Sequence, residues 1–267
     1  MSGPDPAATH AFGRSVAFGR TASDYARRRA GFPEAFFEAL AARGWIAPGV
    51  RALDLGTGTG TIARGLAARG LIVAATDPAA ELLEAAAALD AEAGVSVAYR
   101  RGRAEAIVAP DGSVDLVTAG QCWHWFDRPR AAAEIARVLA PGGHVVIAHF
   151  DWLPLPGSVV EATETLIRAH NPAWTMGGGT GLYPAWLADL SGAGFTGIET
   201  FSFDVAQPYA HADWRGRIRA SAGVAASLDA EGVARFDADL ARLLAERFPE
   251  DPLSTPHRVW AASAVRP

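Results

Sequence analysis

Hydrophobic residues along the chain change their spacing repeatedly, from the continuous runs of buried strands to the period of amphipathic helices. Five apolar runs predict strands, and segments with helical spacing begin at Pro33, at Gly58, at Pro78 behind a capping Asp77, and after Asp127. This alternation predicts an α/β fold, in which a parallel sheet carries helices on both faces and the crossovers are right-handed. The predicted strands are residues 50–55, 71–76, 95–100, 113–120 and 144–150.

The regular pattern is interrupted after Phe150. Residues 151–183 are rich in Trp, Pro and Gly and contain one segment with helical spacing, at 159–169. We therefore predict a flexible N-terminal segment, 1–20, and a single domain, 21–267, into which a lid of about 151–183 is inserted. The elements predicted beyond the lid are a helix near 184–190, a strand at 195–205, helices at about 211–226 and 229–247, and a strand at 258–265.

Composition narrows the class of protein. Half of the 267 residues are hydrophobic, enough for a sizeable core, and the net charge of −5 argues against a nucleic-acid partner. All 24 basic residues are arginine, and Cys122 is the only cysteine, so an internal disulfide and a cysteine-based zinc site are excluded. The first twenty residues lack the apolar region of a signal peptide, and no apolar run reaches the length of a membrane span. We expect a cytoplasmic monomer or homodimer without a membrane or metal partner.

The segment LDLGTGTG, residues 53–60, predicts a cofactor loop after the first strand of the sheet. A dinucleotide fingerprint requires Gly or Ala where Thr61 stands, and a phosphate loop requires a lysine, which the chain lacks. Asp54 would repel a pyrophosphate but suits a cofactor with a positive charge. Asp77 ends the next strand roughly 20 residues later, the spacing at which an acidic residue binds ribose hydroxyls.

The pattern D-x-G-x-G-x-G resembles motif I of the class I S-adenosylmethionine (SAM) methyltransferases. YARRRAGFP (25–33), GSVDLVTAGQCWHWFD (112–127) and EIARVLAPGGHVVI (134–147) are similar to the methyltransferase type 11 group that includes trans-aconitate-methyltransferase-like enzymes. The resemblance covers about 21–150. It implies a Rossmann-like, seven-stranded and mostly parallel sheet whose last strand inserts antiparallel, SAM as the cofactor, and methyl transfer to an O, N or C nucleophile.

The resemblance also assigns cofactor contacts. Tyr25 and Arg29 match the pair that reaches the SAM carboxylate, and Asp77 matches the ribose ligand. Many relatives carry an acidic adenine ligand where Arg103 stands, so Glu105 is the substitute predicted here. The full set of predicted cofactor-binding residues is Tyr25, Arg29, Asp54, Gly56, Thr57, Gly58, Gly60, Asp77, Pro78, Ala104, Glu105 and Gln121.

Three titratable side chains are candidate general bases for the acceptor. His124 is an imidazole between a strand end and a helix cap, and His149 and Asp151 flank the end of the fifth strand on the ligand side. For each, packing or a loop position is the alternative role. The predicted acceptor-binding residues lie in the loop of His124, in the lid and in a later helix, and Gly177–Gly179 are predicted to be a flexible joint of the lid. These acceptor-binding residues are Trp125, Trp152, His170, Asn171, Trp174, Met176 and Trp214.

We therefore expect a SAM-dependent methyltransferase with a small-molecule acceptor, and the composition suits bacterial secondary metabolism. Two alternatives stay open at the level of sequence. One is a nicotinamide-dependent oxidoreductase, which Asp54 and Thr61 disfavour. The other is a SAM-binding protein without transferase activity, which only a turnover assay separates from an enzyme.

Overall fold

The computed structural model describes residues 9–11, 14–16, 31–221, 223–225 and 227–267, with side chains from residue 31 onward. Strands β1 (Thr9–Ala11) and β2 (Arg14–Val16) pair antiparallel. The predicted cofactor contacts of Tyr25 and Arg29 lie outside the described residues, as does most of the predicted segment 1–20.

The described residues form one seven-stranded sheet in the order β5-β4-β3-β6-β7-β9-β8. The first five strands in this order run parallel, and β9 is antiparallel to both β7 and β8. The α/β, Rossmann-like fold and the antiparallel insertion of the last strand are thereby confirmed. The strands are β3 (Arg51–Leu55), β4 (Ile72–Asp77), β5 (Ala98–Arg101), β6 (Val114–Gly120), β7 (Leu139–Trp152), β8 (Thr196–Tyr209) and β9 (Leu253–Val265).

Helices cover both faces of this sheet. One buried layer includes Phe36, Leu66 and Val146, and the other includes Ile135 and Ile147. None of the helices in the described ranges has the length and hydrophobicity needed to cross a bilayer. The helices are α1 (Glu34–Ala42), α2 (Thr61–Ala67), α3 (Ala80–Ala93), α4 (Arg128–Val138), α5 (Val159–His170), α6 (Leu187–Gly192), α7 (His211–Arg219) and α8 (Ala230–Arg247), with 3₁₀ turns at Trp123–Trp125 and Pro184–Trp186.

A third buried cluster joins α5, α7 and α8 beside the ends of β8 and β9, with Trp214 and Phe236 fully buried in it. Helix α7 is shorter than predicted and ends at Arg219. A Cβ on Gly223 would lie 2.8 Å from Ile167 and 3.0 Å from Trp174, so the chain beyond the helix passes too close to α5 and the lid for a larger residue.

Asp77 is not the helix cap that the sequence predicts. Helix α3 begins at Ala80, behind an N-cap residue, Ala79, that makes no side-chain capping bond. The Asp77 carboxylate accepts instead from the backbone N–H of Ala79 and of Gly58, each at 2.9 Å. It therefore links the end of β4 to the glycine loop after β3.

Candidate functional site

A cleft opens at the carboxyl ends of β3, β4 and β6, where the sheet order reverses direction. Open α/β sheets bind ligands at this kind of position. Backbone from four successive loops and side chains from two hydrophobic layers form its wall. The wall residues are Phe32, Gly56, Thr57, Gly58, Thr59, Thr61, Asp77, Pro78, Ala79, Leu82, Gly102, Arg103, Ala104, Glu105, Gly120, Gln121, Cys122, Trp125, Phe126 and Phe150.

The three alternate glycines of the loop all have positive φ, but they serve different purposes. A Cβ on Gly56 (φ +61°) would lie 2.9 Å from Cys122, and one on Gly60 (φ +77°) would collide with the Tyr99 hydroxyl. At Gly58 (φ +55°) no atom lies within 4 Å of the Cβ position. Gly56 and Gly60 are thus required by protein packing, whereas Gly58 leaves open space that a ligand can use.

Asp77 presents a carboxylate to the cleft from beneath Gly58. Its side chain is 7% exposed, and burial raises its pKa, against the Ala79 and Gly58 N–H donors that lower it. Each carboxylate oxygen accepts only one of these bonds and keeps acceptor capacity for a hydroxyl group.

Asp54, a predicted cofactor contact, lies behind the loop and is not among the residues of the cleft wall. It is 2% exposed, and its two oxygens accept from the hydroxyls of Thr57 and Thr118, each at 2.6 Å. Burial raises its pKa to about 6, and the two threonine hydroxyls act in the opposite direction. Its observed contacts order the loop between β3 and β6.

Most of the other predicted cofactor-binding residues line the cleft, and one does not. Thr57, Pro78, Ala104 and Gln121 line the cleft, as does Glu105, whose Oε1 accepts from the Asp127 N–H at 2.9 Å. Gly60 is not in the wall. Sequence reasoning missed Thr59, Thr61, Leu82 and Phe150 as wall residues, although Leu82 lies in the first turn after β4, a position that topology alone could have indicated.

Gln121 is the one non-glycine residue with a positive φ (+62°) in the described ranges. Its backbone N–H donates to the Ala148 carbonyl at 2.8 Å, and its side-chain amide donates to the Phe150 carbonyl. These bonds hold a backbone conformation that costs roughly 1–2 kcal/mol, and such strain concentrates at ligand sites.

The predicted base candidates lie together at the end of β7. His149 is 2% exposed, its Nδ1 is 3.3 Å from Asp151 Oδ2, and its Nε2 has no hydrogen-bond partner among the residues described. Tyr183 donates to the same Asp151 oxygen at 2.5 Å, and burial and Asp151 raise the Tyr183 pKa, which keeps this hydroxyl protonated. The His124 ring lies 5.5 Å from His149 and 4.9 Å from Trp125, a wall residue.

Most predicted acceptor-binding residues make internal contacts instead. His170 Nε2 pairs with Asp239 at 2.9 Å, and Asn171 donates to the Gly223 carbonyl at 3.0 Å. Trp214 is 0% exposed and donates to Thr163, so it is a core residue; a ring fully enclosed by α5 and α8 cannot line a pocket.

The remaining predicted acceptor-binding residues are less buried than Trp214. Trp125 lines the cleft, Trp152 donates to Glu164 at 3.1 Å, Trp174 packs beside Gly223, and Met176 is 56% exposed.

Comparisons with known proteins agree with this geometry. The methyltransferase domain family matches residues 53–147. An uncharacterized methyltransferase of Mycobacterium tuberculosis is 41% identical over 160 residues, 59% of this chain and 62% of that relative. The match thus spans less than two thirds of the mycobacterial protein.

Two longer matches extend the comparison. An uncharacterized methyltransferase of Schizosaccharomyces pombe is 30% identical over 194 residues, 72% of each chain. Phosphoethanolamine N-methyltransferase 2 of Haemonchus contortus, solved with S-adenosyl-L-methionine, matches with a TM-score of 0.55 at 20% identity, over 94% of this chain and 58% of that chain, which shows a shared fold. This chain belongs to the class I methyltransferase family.

Proposed function

We propose that this protein binds SAM in the cleft and transfers its methyl group to an O, N or C nucleophile of a small-molecule acceptor. The observation that carries the proposal is the pairing of Asp77 with Gly58. The Gly58 N–H, which a pyrophosphate would need, already donates to a carboxylate that would repel one. The same carboxylate suits a ribose, and the space over Gly58 suits a ligand that approaches the backbone closely.

The wall residues fit the parts of this cofactor. Asp77 would hold the ribose hydroxyls, and Ala104, Glu105 and Leu82 would enclose the adenine. Phe150 and Gln121 stand at the other end of the cleft, where the methionine part would lie. The bound cofactor supplies an electrophilic methyl group on a sulfonium, so the protein's task is to position the acceptor, exclude water and accept a proton where the nucleophile carries one.

The histidine pair supplies a route for that proton. Asp151 holds the Nδ1 proton of His149 and thereby leaves the Nε2 lone pair as an acceptor. His124 lies between His149 and Trp125 at the cleft wall. We infer that His124 receives the acceptor's proton, with His149 and Asp151 behind it.

Calorimetric titration with S-adenosylhomocysteine and with NAD⁺ tests the cofactor assignment. We expect S-adenosylhomocysteine to bind with a Kd of about 1 μM or below, about −8 kcal/mol, and NAD⁺ to show no heat of binding. Binding of NAD⁺ alone would overturn the proposal. Incubation with methyl-labelled SAM and a panel of bacterial metabolites then separates a transferase from a SAM-binding protein, because only the former labels an acceptor.

A further inference from the structure

Helix α7 carries three arginines at alternate positions, and they face two ways. Arg215 Nε donates to Asp237 Oδ1 on α8 at 3.0 Å, and Arg219 pairs with the same oxygen at 2.5 Å. Arg217 lies between them on the opposite side. Its guanidinium carbon is 5.0 Å from the Trp152 ring centroid and 6.0 Å from that of Tyr209.

Arg217 has no carboxylate partner among the residues that the structure describes, and its Nε is buried without a hydrogen-bond acceptor. A guanidinium presents five N–H donors and keeps its charge at all relevant pH values. The ring faces of Trp152 and Tyr209 attract the charge but accept none of these bonds in the plane of the fork. A planar anion that accepts these N–H bonds would therefore complete the surroundings of Arg217.

Two buried polar side chains of β9 are also unsatisfied. His257 Nε2 and Thr255 Oγ1 belong to residues that are 0% exposed, and neither atom has a hydrogen-bond partner within the described part of the chain. His257 Nδ1 lies 3.1 Å from the Thr255 carbonyl, which places its proton there and leaves Nε2 as an acceptor. Burial, and then the charge of Arg217, lower the pKa of His257 to about 4, so the imidazole adds no positive charge near neutral pH.

This group of residues adjoins the cofactor cleft on one face of the sheet. Phe150 and Trp152 are two residues apart on β7 and so point to the same face. The His257 ring lies 4.9 Å from Phe150, which is a wall residue of the cleft. A molecule bound against Trp152 thus lies beside the end of the cleft where we place the reacting methyl group.

We propose that Arg217, which lies beside the rings of Trp152 and Tyr209, binds the carboxylate of an aromatic acceptor. The proposal rests on the proposed function, and it adds the acceptor's chemical class and a residue that selects it. The planar fork of Arg217 matches a carboxylate, and the half-buried Trp152 ring provides a surface for an aromatic body. The bound carboxylate is a handle distinct from the atom that is methylated.

Nuclear magnetic resonance of arginine side chains tests the binding directly. The protein, uniformly ¹⁵N-labelled and saturated with S-adenosylhomocysteine, is titrated with phenylacetate and, separately, with its neutral analogue phenylacetamide. The Arg217 Nε resonance is the one lost in R217Q. We expect phenylacetate to shift it and phenylacetamide to leave it in place. Equal shifts with both probes, or none up to a saturating concentration of phenylacetate, would overturn the proposal.

A matched pair of variants extends the test. R217Q should weaken phenylacetate binding about tenfold to a hundredfold, the range for a lost charge-assisted hydrogen bond, whereas R219Q, which removes an ion-paired arginine of the same helix, should change it less than about twofold. Equal losses in both variants would point to net charge and contradict the assignment. The affinity for S-adenosylhomocysteine should be unchanged in both variants. If the wild-type protein does not bind S-adenosylhomocysteine, the proposed function is rejected instead.

Discussion

At the scale of single residues, the glycines of the cofactor loop separate packing from binding. Gly56 and Gly60 have neighbours that exclude a side chain, whereas Gly58 faces open space. Substitutions at Gly56 or Gly60 would therefore change both folding and binding. Gly58 is the position at which a methyl group tests the cleft with the least damage to the loop.

Gly58→Ala should reduce S-adenosylhomocysteine affinity at least tenfold, because the added methyl group occupies the cleft, and should lower the free energy of unfolding by about 1 kcal/mol, the strain of positive φ. Gly142→Ala is the control: Gly142 has φ +77°, its Cβ position is equally open, and it lies outside the cleft wall. The control should show the strain without the loss of affinity. Calorimetry and urea unfolding measure the two effects, and equal affinities in both variants would contradict the assignment.

The histidine pair makes a second prediction at this scale. His124→Asn and His149→Asn should each lower kcat about a hundredfold for an acceptor with an ionisable proton, as is typical when a general base is lost. Asp151→Asn should lower kcat less, because the amide oxygen can still accept the Nδ1 proton of His149 but carries no negative charge. Measurement of kcat for each variant across pH tests this prediction, and the affinity for S-adenosylhomocysteine serves as the control. Wild-type kcat in both histidine variants would show that no base acts here.

At the scale of elements, one buried carboxylate helps to position the segment 171–183. Glu164 on α5 is 1% exposed and accepts from Trp152 Nε1 at 3.1 Å and from the Gly178 N–H at 2.8 Å, with Arg168 at 3.6 Å. Arg258 on β9 donates to the Thr180 carbonyl at 2.9 Å. The segment 171–183 has no helix or strand and is positioned by these contacts.

Met176 projects from this segment without taking part in them. Met176→Ala should raise the acceptor KM. It should leave the free energy of unfolding and the affinity for SAM within about 0.5 kcal/mol of wild type, since the side chain is exposed and is not part of the cleft wall. Steady-state kinetics with an acceptor from the labelling screen measure the KM. An unchanged KM would remove Met176 from the acceptor wall.

The sequence predicted helices and strands well where a local pattern of residues determines the element. The strand ending at Asp77 and the helix after Asp127 follow from local pattern, and Asp127 does accept from Arg130 N–H at the helix start. Strands β8 and β9 extend beyond their predicted ends because they pair with each other from Thr196↔Val265 to Tyr209↔Leu253, a long-range contact that local pattern does not contain.

The site was harder to predict, for the same reason. Asp54, Trp214 and His170 have the chemistry of ligand contacts, but their partners are Thr118, Thr163 and Asp239, far along the chain. Arg217 was not predicted because its neighbours give no sign of it. Only the fold reveals that Arg215 and Arg219 pair with Asp237, whereas Arg217 has no carboxylate partner in the described ranges.

At the scale of the whole molecule, two buried groups oppose each other in the pH dependence of stability. Asp54 has a pKa raised to about 6, so its contribution is greatest below pH 4 and is lost as pH rises towards 6. His257 has a pKa lowered to about 4, so its contribution is present above pH 6.5 and is lost as pH falls towards 4. Each corresponds to about 3 kcal/mol, with opposite sign.

Comparison of Asp54→Asn and His257→Asn with wild type should reveal these opposed slopes. The stability of wild type relative to Asp54→Asn should fall from pH 4 to pH 6, and its stability relative to His257→Asn should rise over the same range. Urea unfolding at several pH values measures both differences. A difference that stays constant with pH would show that the group concerned does not change its pKa on folding.

Cys122 gives the protein a chemical reporter of its own cleft. The chain has one cysteine; its side chain is 7% exposed, donates to the Leu55 carbonyl at 3.1 Å, and lies against Gly56 in the cleft wall. A thiol reagent can therefore modify the chain at a single site, and only when the cofactor loop moves aside. We expect slow modification of the native protein and slower modification with S-adenosylhomocysteine bound. The labelling rate then measures how often the empty loop opens, with no introduced probe.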